Sequence, residues 1–99
     1  MKVVFSPGSE RDLEQIADHI AQDSPRRALS FVRELRAAAQ VLALDPESRP
    51  RANFDPRIRR SVHGAYNLYY AVLPDELRFL AIVHGSRADD ALLFDLVKR

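Results

Sequence analysis

The stretch from Ile82 to Asp90, IVHGSRADD, ends an apolar run with a histidine and an arginine. Histidine transfers protons near neutral pH, and a guanidinium stabilises charge that develops on phosphoryl oxygens. His84 has no acid or nucleophile at a fixed spacing, which favours a strand-end histidine bonded to backbone over a catalytic base. Arg87 follows a glycine bend, and this position suits a solvated loop charge and a contact made from a rigid scaffold equally well.

The other residues that could support catalysis or bind metal have no matching partners. Ser61 and Ser86 lie near His63 and His84 in sequence, but no motif indicates a third group that would complete a triad. His19 lies among aspartates at spacings that fit no standard metal site. The chain has no cysteine, which excludes thiolate nucleophiles and cysteine-bound metals. The sequence therefore predicts no catalytic residue, no metal site and no cofactor.

The charge of the chain is small but unevenly distributed. The net charge is +1, too small for general attraction to nucleic acid, and we expect no direct sequence-specific nucleic-acid binding. Between Arg49 and Arg60, however, five arginines accompany the single acid Asp55. This cluster favours a solvated loop, with a nucleic-acid site as the alternative. No run approaches the ~20 apolar residues of a membrane span, and the N-terminal apolar run is too short for a signal peptide, so we expect a cytoplasmic protein with no membrane partner.

Two serine–proline pairs predict the starts of two helices. Ser6-Pro7 and Ser24-Pro25 each combine an N-cap residue with proline at the first helical position. The apolar positions that follow at helical spacing are Leu13, Ile16, Ala17 and Ile20, then Ala28, Phe31, Val32, Leu35, Ala38, Ala39 and Leu42. Because so few residues separate the two helices, we expect them to fold back on each other as a hairpin.

Runs of β-prone residues predict the rest of the domain. The predicted strands are Val3–Phe5, Ile58–Val62, Tyr66–Leu73 and Leu77–His84. Asp45–Pro56 contains three prolines and reads as a loop. The tail Ala91–Val97 is apolar and suits a helix, with an edge strand as the alternative. The sequence predicts a single α+β domain over residues 1–99, with an N-terminal strand, a helical hairpin, a three-stranded antiparallel meander and a short C-terminal tail.

Strict alternation along the last two strands divides their side chains between two faces of the sheet. We assign the following residues to the face turned away from the helices: Asn67, Tyr69, Ala71, Leu73, Arg78, Leu80, Ile82 and His84. This face is largely apolar, whereas the solvated face of an antiparallel sheet is normally polar. The tail is too short to cover all of it, so we expect a protein partner there.

The order of elements and several motifs resemble the RelE/ParE superfamily of bacterial toxins, and specifically its ParE branch. The resemblance extends from Val3 to about Asp90. It depends on the helix start FSPGSERDL, the Gly-Ala-Tyr turn into the tyrosine-rich strand, and the closing His-Gly-Ser-Arg. The resemblance implies the toxin of a type II toxin–antitoxin pair, which acts on DNA gyrase as a binding inhibitor and not as an enzyme.

The resemblance also implies a small ParD-like antitoxin, whose flexible C-terminal segment wraps the helical hairpin and the open sheet face. The residues expected to bind this antitoxin are Asn67, Tyr69, Arg78, Leu80, Ile82 and His84. The residues expected to contact the target are Arg59, Arg60 and Arg87.

The same fold also supports RelE-like toxins, which cut messenger RNA on the ribosome, so the fold alone does not choose between the branches. RelE-like cleavage uses a ring of basic residues on the sheet and, in many members, a tyrosine in the tail. Here Asn67 occupies the position of one expected arginine and Leu93 lies near the position of the tyrosine. These departures favour the ParE branch. A RelE-like nuclease and an interaction module without toxicity remain the alternatives.

Overall fold

The computed structural model describes residues 1–98 and contains three α-helices and five strands within that range. Their bounds in chain order are β1 Lys2–Phe5, α1 Pro7–Ala21, α2 Pro25–Leu42, β2 Arg51–Ala52, β3 Asp55–His63, β4 Tyr66–Val72, β5 Glu76–His84 and α3 Asp90–Leu96, with a 3₁₀ turn at Gly85–Arg87 before α3. This architecture confirms the predicted α+β fold. Within residues 1–98, no helix has both the length and the apolar character needed to cross a bilayer.

The predicted helix starts are confirmed in detail. The Ser6 hydroxyl accepts a hydrogen bond from the Ser9 backbone N–H at 3.1 Å, and the Ser24 hydroxyl accepts one from Arg27 N–H at 3.1 Å. Each bond satisfies a backbone donor that the first helical turn leaves without a partner. Ser9 also donates from its hydroxyl to the Phe79 carbonyl at 3.0 Å. That buried bond joins the start of α1 to β5.

The strands form one sheet in the order β1-β5-β4-β3-β2. The meander β3-β4-β5 is antiparallel, as predicted, and β1 lies parallel to β5 at the edge. Gly64 adopts a positive φ of 59° in the turn between β3 and β4, which glycine accepts without steric cost. The two-residue strand β2 lies inside the segment predicted to be entirely loop, and it pairs with β3. The tail is a helix, which excludes the edge-strand alternative.

Apolar residues form two clusters, one on each face of the sheet. The larger cluster packs the helical hairpin on the sheet through buried residues such as Leu13, Leu35 and Phe79. The smaller cluster lies on the opposite face, called here the outer face, where α3 contributes Leu93. Both faces of the sheet are therefore covered by the chain itself, at least in part.

A β-bulge in β5 overturns part of the predicted face assignment. Tyr69 pairs with Ala81 and Tyr70 with Phe79, so Leu80 is an extra residue with no partner across the ladder. An extra residue shifts the alternation of everything that follows it. The prediction was therefore wrong for Ile82 and His84, which lie on the helical side. Ala81 and Val83, predicted to face the helices, lie on the outer face.

The outer face is less open than the sequence indicated. Tyr69, predicted to be part of an uncovered apolar surface, is only 2% exposed beneath Phe54 and α3. Ile82 is 3% exposed, but in the cluster below the helices. The short tail covers this face better than predicted because its Leu93, Leu96 and Val97 all join the smaller cluster.

Candidate functional site

Two concave surfaces bring the predicted site residues together in separate groups. One lies on the outer face between β2 and α3 and is called the outer-face cleft; its lining includes Arg51, Phe54, Arg60, Asn67, Tyr69 and Asp90. The other lies between α1, the end of β5 and α3 and is called the α1–α3 groove; its lining includes Asp12, Gln15, His19, Tyr66, Ile82, His84, Arg87 and Leu92. The single surface predicted for antitoxin binding is therefore divided between two faces.

The floor of the outer-face cleft is polar and preorganised by the sheet. Arg60 lies opposite Tyr69 in the β3–β4 ladder, and Asn67 Nδ2 donates a hydrogen bond to the Tyr69 hydroxyl at 3.2 Å. The Tyr69 ring is held by an edge contact with Phe54, at 5.8 Å between centroids. Arg60 is exposed and forms no ion pair with the described residues. Three of the predicted residues, Asn67, Tyr69 and Arg60, thus lie in one cleft.

His84 has a structural role in the turn that presents Arg87. The Ser86 backbone N–H donates to His84 Nδ1 at 3.1 Å, and the Ser86 hydroxyl lies 2.7 Å from the same nitrogen. A nitrogen that accepts from a backbone N–H carries no proton, so the neutral ring has its proton on Nε2. The ring also makes an edge contact with Tyr66 at 5.3 Å. This arrangement agrees with the backbone-bonded strand-end histidine that the sequence favoured.

Arg87 is exposed on the rim of the α1–α3 groove. It lies in the 3₁₀ turn that His84 caps, and it has no ion pair among residues 1–98. The groove wall opposite is the polar face of α1, with Gln15 and His19. Arg87 is therefore a cation available for contact, on a different surface from Arg60.

Arg59 and Arg78, the other predicted arginines, are engaged within the chain. The Arg59 guanidinium donates from Nη1 to the carbonyls of Glu47 and Arg49 at 3.1 and 2.7 Å. It therefore holds the loop after α2 against β3. Arg78 donates a hydrogen bond from Nε to the Glu76 carboxylate at 2.9 Å, and both residues lie on β5, two positions apart. For Arg59 the expected role as an exposed target contact conflicts with these bonds.

Two residues near the sites were not singled out from the sequence. Asp12 accepts a hydrogen bond on Oδ2 from the Ile82 backbone N–H at 3.0 Å. Ile82 lies beyond the last residue pair between β1 and β5, so Asp12 supplies an acceptor where β1 has ended. The sequence feature that could have pointed to Asp12 is its helical spacing from Gln15 and His19, which places the three residues on one face of α1. Phe54 covers Tyr69 in the outer-face cleft. Its only sequence signal is an aromatic residue within a polar loop.

One ion pair lies at the start of β3, next in sequence to Phe54 of the outer-face cleft. Arg57 donates to Asp55 from its side chain at 2.7 Å and from its backbone at 2.9 Å. These bonds favour the carboxylate and lower the pKa of Asp55 from 3.8 to about 2. Burial raises the pKa of Tyr70, whose hydroxyl donates to the Pro46 carbonyl at 3.0 Å. The Tyr70 bond ties the loop after α2 to β4 on the helical side of the sheet.

The comparisons with known proteins agree with the fold and identify the family. A family described as "ParE toxin of type II toxin-antitoxin system, parDE" matches residues 3–89. The chain belongs to the ParE toxin family. As a ParE toxin it is the toxin of a type II toxin–antitoxin pair, which confirms the predicted family and branch. No curated protein sequence matches the chain.

A solved structure also resembles this ParE toxin. It is described as "Chromosomal ParDE TA system from P. aeruginosa", and it aligns with a TM-score of 0.74 at 20% identity over 85% of this chain and 95% of that chain. At this identity the likeness supports the fold alone. The family match ends at Asp89, so α3, which supplies Leu93 to the outer-face cleft, lies beyond the matched part of the ParE toxin.

Proposed function

We propose that this ParE toxin inhibits DNA gyrase by binding, and that a ParD-like antitoxin neutralises it. The observation that carries the proposal is the family match over residues 3–89. The exposed Arg87 and Arg60, neither of them paired among the described residues, supply guanidinium groups for contact with a large target or with the DNA it holds. Because gyrase acts on chromosomal DNA, the proposal also implies action in the cytoplasm.

The antitoxin is proposed to bind along the helical hairpin and the α1–α3 groove. Three exposed apolar side chains support a partner on α2 and just after it: Leu29 at 63%, Val41 at 64% and Leu44 at 85% exposure. The groove adds Tyr66, His84 and Leu92 as partly accessible contacts. Of the residues first expected to bind the antitoxin, His84 is an exposed residue of this groove, and Ile82 is a buried residue beneath it. The other four lie on the outer face.

Inhibition by binding, without catalysis, is the mechanism the side chains favour. The His84 nitrogen Nδ1 is already used by Ser86, and Arg60 and Arg87 lie on different surfaces, so no phosphate could be held by both. Transition-state stabilisation requires groups that converge on one reacting centre. A RelE-like nuclease therefore has less support here than a gyrase inhibitor.

The proposal is tested by supercoiling of relaxed plasmid by purified gyrase, with the full chain added. We expect supercoiling to fall or cleaved DNA to accumulate, and a ParD-like antitoxin to restore the activity. Primer extension on a translated message during toxin expression is the parallel measurement. Codon-specific cleavage there, with unaffected supercoiling, would replace the gyrase proposal with the nuclease.

A further inference from the structure

The 3₁₀ turn that presents Arg87 is held by a hydrogen bond to a side chain outside the turn. The turn spans Gly85–Arg87, and the Ala88 N–H reaches the carbonyl of its first residue at 3.4 Å, longer than the usual range of about 2.7–3.2 Å. The Ser86 N–H donates a shorter bond, of 3.1 Å, to His84 Nδ1. The conformation in which the turn presents Arg87 therefore depends on the side chain that precedes it.

The His84 ring is itself anchored to the core of the domain. It makes an edge contact with Tyr66 at 5.3 Å between centroids, and Tyr66 makes a second edge contact with Phe31 of α2, also at 5.3 Å. Phe31 is buried in the cluster under the helical hairpin. A continuous series of contacts thus joins that cluster, through the His84 ring, to the turn that carries Arg87.

The bond that holds the turn requires a neutral His84 ring. Only an imidazole whose Nδ1 carries no proton accepts a bond from an N–H group. A proton on Nδ1 would face the Ser86 N–H, a donor against a donor, and would bond instead to the Ser86 hydroxyl at 2.7 Å. His84 is exposed, so protons from solvent reach the ring. The imidazolium therefore no longer accepts the backbone bond that caps the turn.

The groove around His84 contains other groups that titrate or carry charge. They are Asp12 and His19 of α1, Tyr66 of β4 and Arg87 of the turn. The α3 residues in the lining, Leu92 and Leu96, are apolar. Asp12 binds the Ile82 backbone N–H through Oδ2 and so is joined to β5. Among the titratable groups of this lining, His84 is the one that accepts a bond from the backbone of the turn.

We propose that His84 is a positioning residue for Arg87: its neutral ring holds the turn in the conformation that contacts the target, and protonation of the ring weakens inhibition in mild acid. The inference rests on the proposed function in one respect, that Arg87 contacts gyrase or the DNA it holds. His84 itself touches neither. It acts through the bond to Ser86, so another side chain that places an acceptor at the same point should replace it.

Two substitutions separate the acceptor from the aromatic ring. His84→Asn places a carbonyl oxygen at the side-chain position of Nδ1, and asparagine readily accepts from the N–H two residues on without titrating. His84→Phe keeps a ring against Tyr66 but has no acceptor. At neutral pH, His84→Phe should weaken supercoiling inhibition about tenfold, in line with the loss of one hydrogen bond. His84→Asn should inhibit as well as the unsubstituted toxin.

NMR relaxation of the ¹⁵N-labelled full chain measures the positioning without gyrase. At about pH 7.5 we expect the Ser86 and Arg87 amides to be as rigid as those of β5, and at about pH 5.5, below the ordinary histidine range, to be mobile. His84→Asn should stay rigid at both pH values, and His84→Phe should be mobile at both. Rigid amides in His84→Phe, or a pH response that persists in His84→Asn, would overturn the proposal.

The matched control is His63→Asn, which removes a histidine at the end of β3, outside the groove. It should keep the pH response of the unsubstituted chain, and thermal unfolding confirms that each variant folds. A pH response abolished equally by His63→Asn would overturn the assignment to His84.

Supercoiling inhibition is compared between the unsubstituted toxin and His84→Asn at each pH, so that the pH dependence of gyrase itself cancels. The two should be equal at about pH 7.5, and the unsubstituted toxin should be about tenfold weaker at about pH 5.5. Equal inhibition by both at both pH values would overturn the proposal. If the unsubstituted toxin does not inhibit gyrase at all, the proposed function fails, and the relaxation measurement still confirms or overturns the positioning role.

Discussion

Arg59 and Arg60 are neighbours in sequence, but β3 directs their side chains to opposite faces of the sheet. They therefore have different contacts. Arg59 lies beside Tyr70 on the helical side, where it bonds to two loop carbonyls. Arg60 lies beside Tyr69 on the outer face and remains exposed. The period of two along a strand therefore separates a structural arginine from one that is free to bind a ligand.

Replacing Arg59 by alanine should lower the free energy of unfolding by about 1–2 kcal/mol, because two hydrogen bonds from a charged donor to loop carbonyls are lost. Arg60→Ala is the matched control and should change stability by no more than about 0.5 kcal/mol, as exposed surface changes usually do. Urea denaturation of both variants measures the difference. Equal stabilities would show that the Arg59 bonds to Glu47 and Arg49 contribute nothing.

The ion pair between Asp55 and Arg57 gives stability a defined dependence on pH. The pKa of Asp55 is about 2 in the folded chain and 3.8 is its ordinary value, so the unfolded chain takes up the proton first as pH falls. The contribution of Asp55 is present above about pH 4 and declines as pH approaches 2. Titration of the Asp55 carboxyl by NMR should give this low pKa in the native chain. In Arg57→Ala it should return toward the ordinary value, and an unchanged pKa would contradict the assigned cause.

At the scale of elements, the bulge at Leu80 determines what β5 presents to each side. Before the bulge, Leu77 and Phe79 lie under the helical hairpin, and after it Ile82 takes that side. Ser9 and Asp12 bond to β5 on either side of this point, at the Phe79 carbonyl and the Ile82 N–H. The bulge is thus fixed by the first turns of α1.

Ile82→Asp should lower the stability by more than about 4 kcal/mol, because it places an unpaired carboxylate in the cluster under the helices. Leu44→Asp is the matched control, since Leu44 is 85% exposed, and it should shift stability by about 0.5 kcal/mol or less. Thermal unfolding of both variants is the measurement. A stable Ile82→Asp protein that has lost only antitoxin affinity would restore the original assignment of Ile82 to an exposed face.

At the scale of the whole molecule, the sheet separates two concave surfaces. The α1–α3 groove with Arg87 adjoins α1, whereas the outer-face cleft with Arg60 lies on the face away from the hairpin. The helix α3 contributes to both, with Leu92 in the groove and Leu93 in the cleft. A partner bound in the groove would leave most of the cleft accessible.

Arg87→Ala should relieve growth arrest while stability changes by no more than about 0.5 kcal/mol, because Arg87 is exposed and forms no ion pair among residues 1–98. Arg87→Lys should restore little activity if the contact depends on guanidinium geometry. Arg26→Ala serves as the control for loss of one positive charge. Supercoiling assays with each purified variant provide the measurement. If Arg87→Ala inhibits gyrase as well as the unsubstituted toxin does, Arg87 is not the contact.

The sequence by itself determined the elements whose signals are local. The serine–proline pairs fixed both helix starts, and the turns at Gly64 and Pro74 fixed the meander, because capping bonds and tight turns involve residues close in the chain. Only the tertiary structure decided that β1 lies beside β5, that Leu80 bulges, and that Arg59 turns inward to the loop. Each of these depends on contacts between residues far apart in sequence. An alternating sequence does not reveal a bulge, because the same residues are compatible with a regular strand. For that reason the side chains after Leu80 were assigned to the wrong faces.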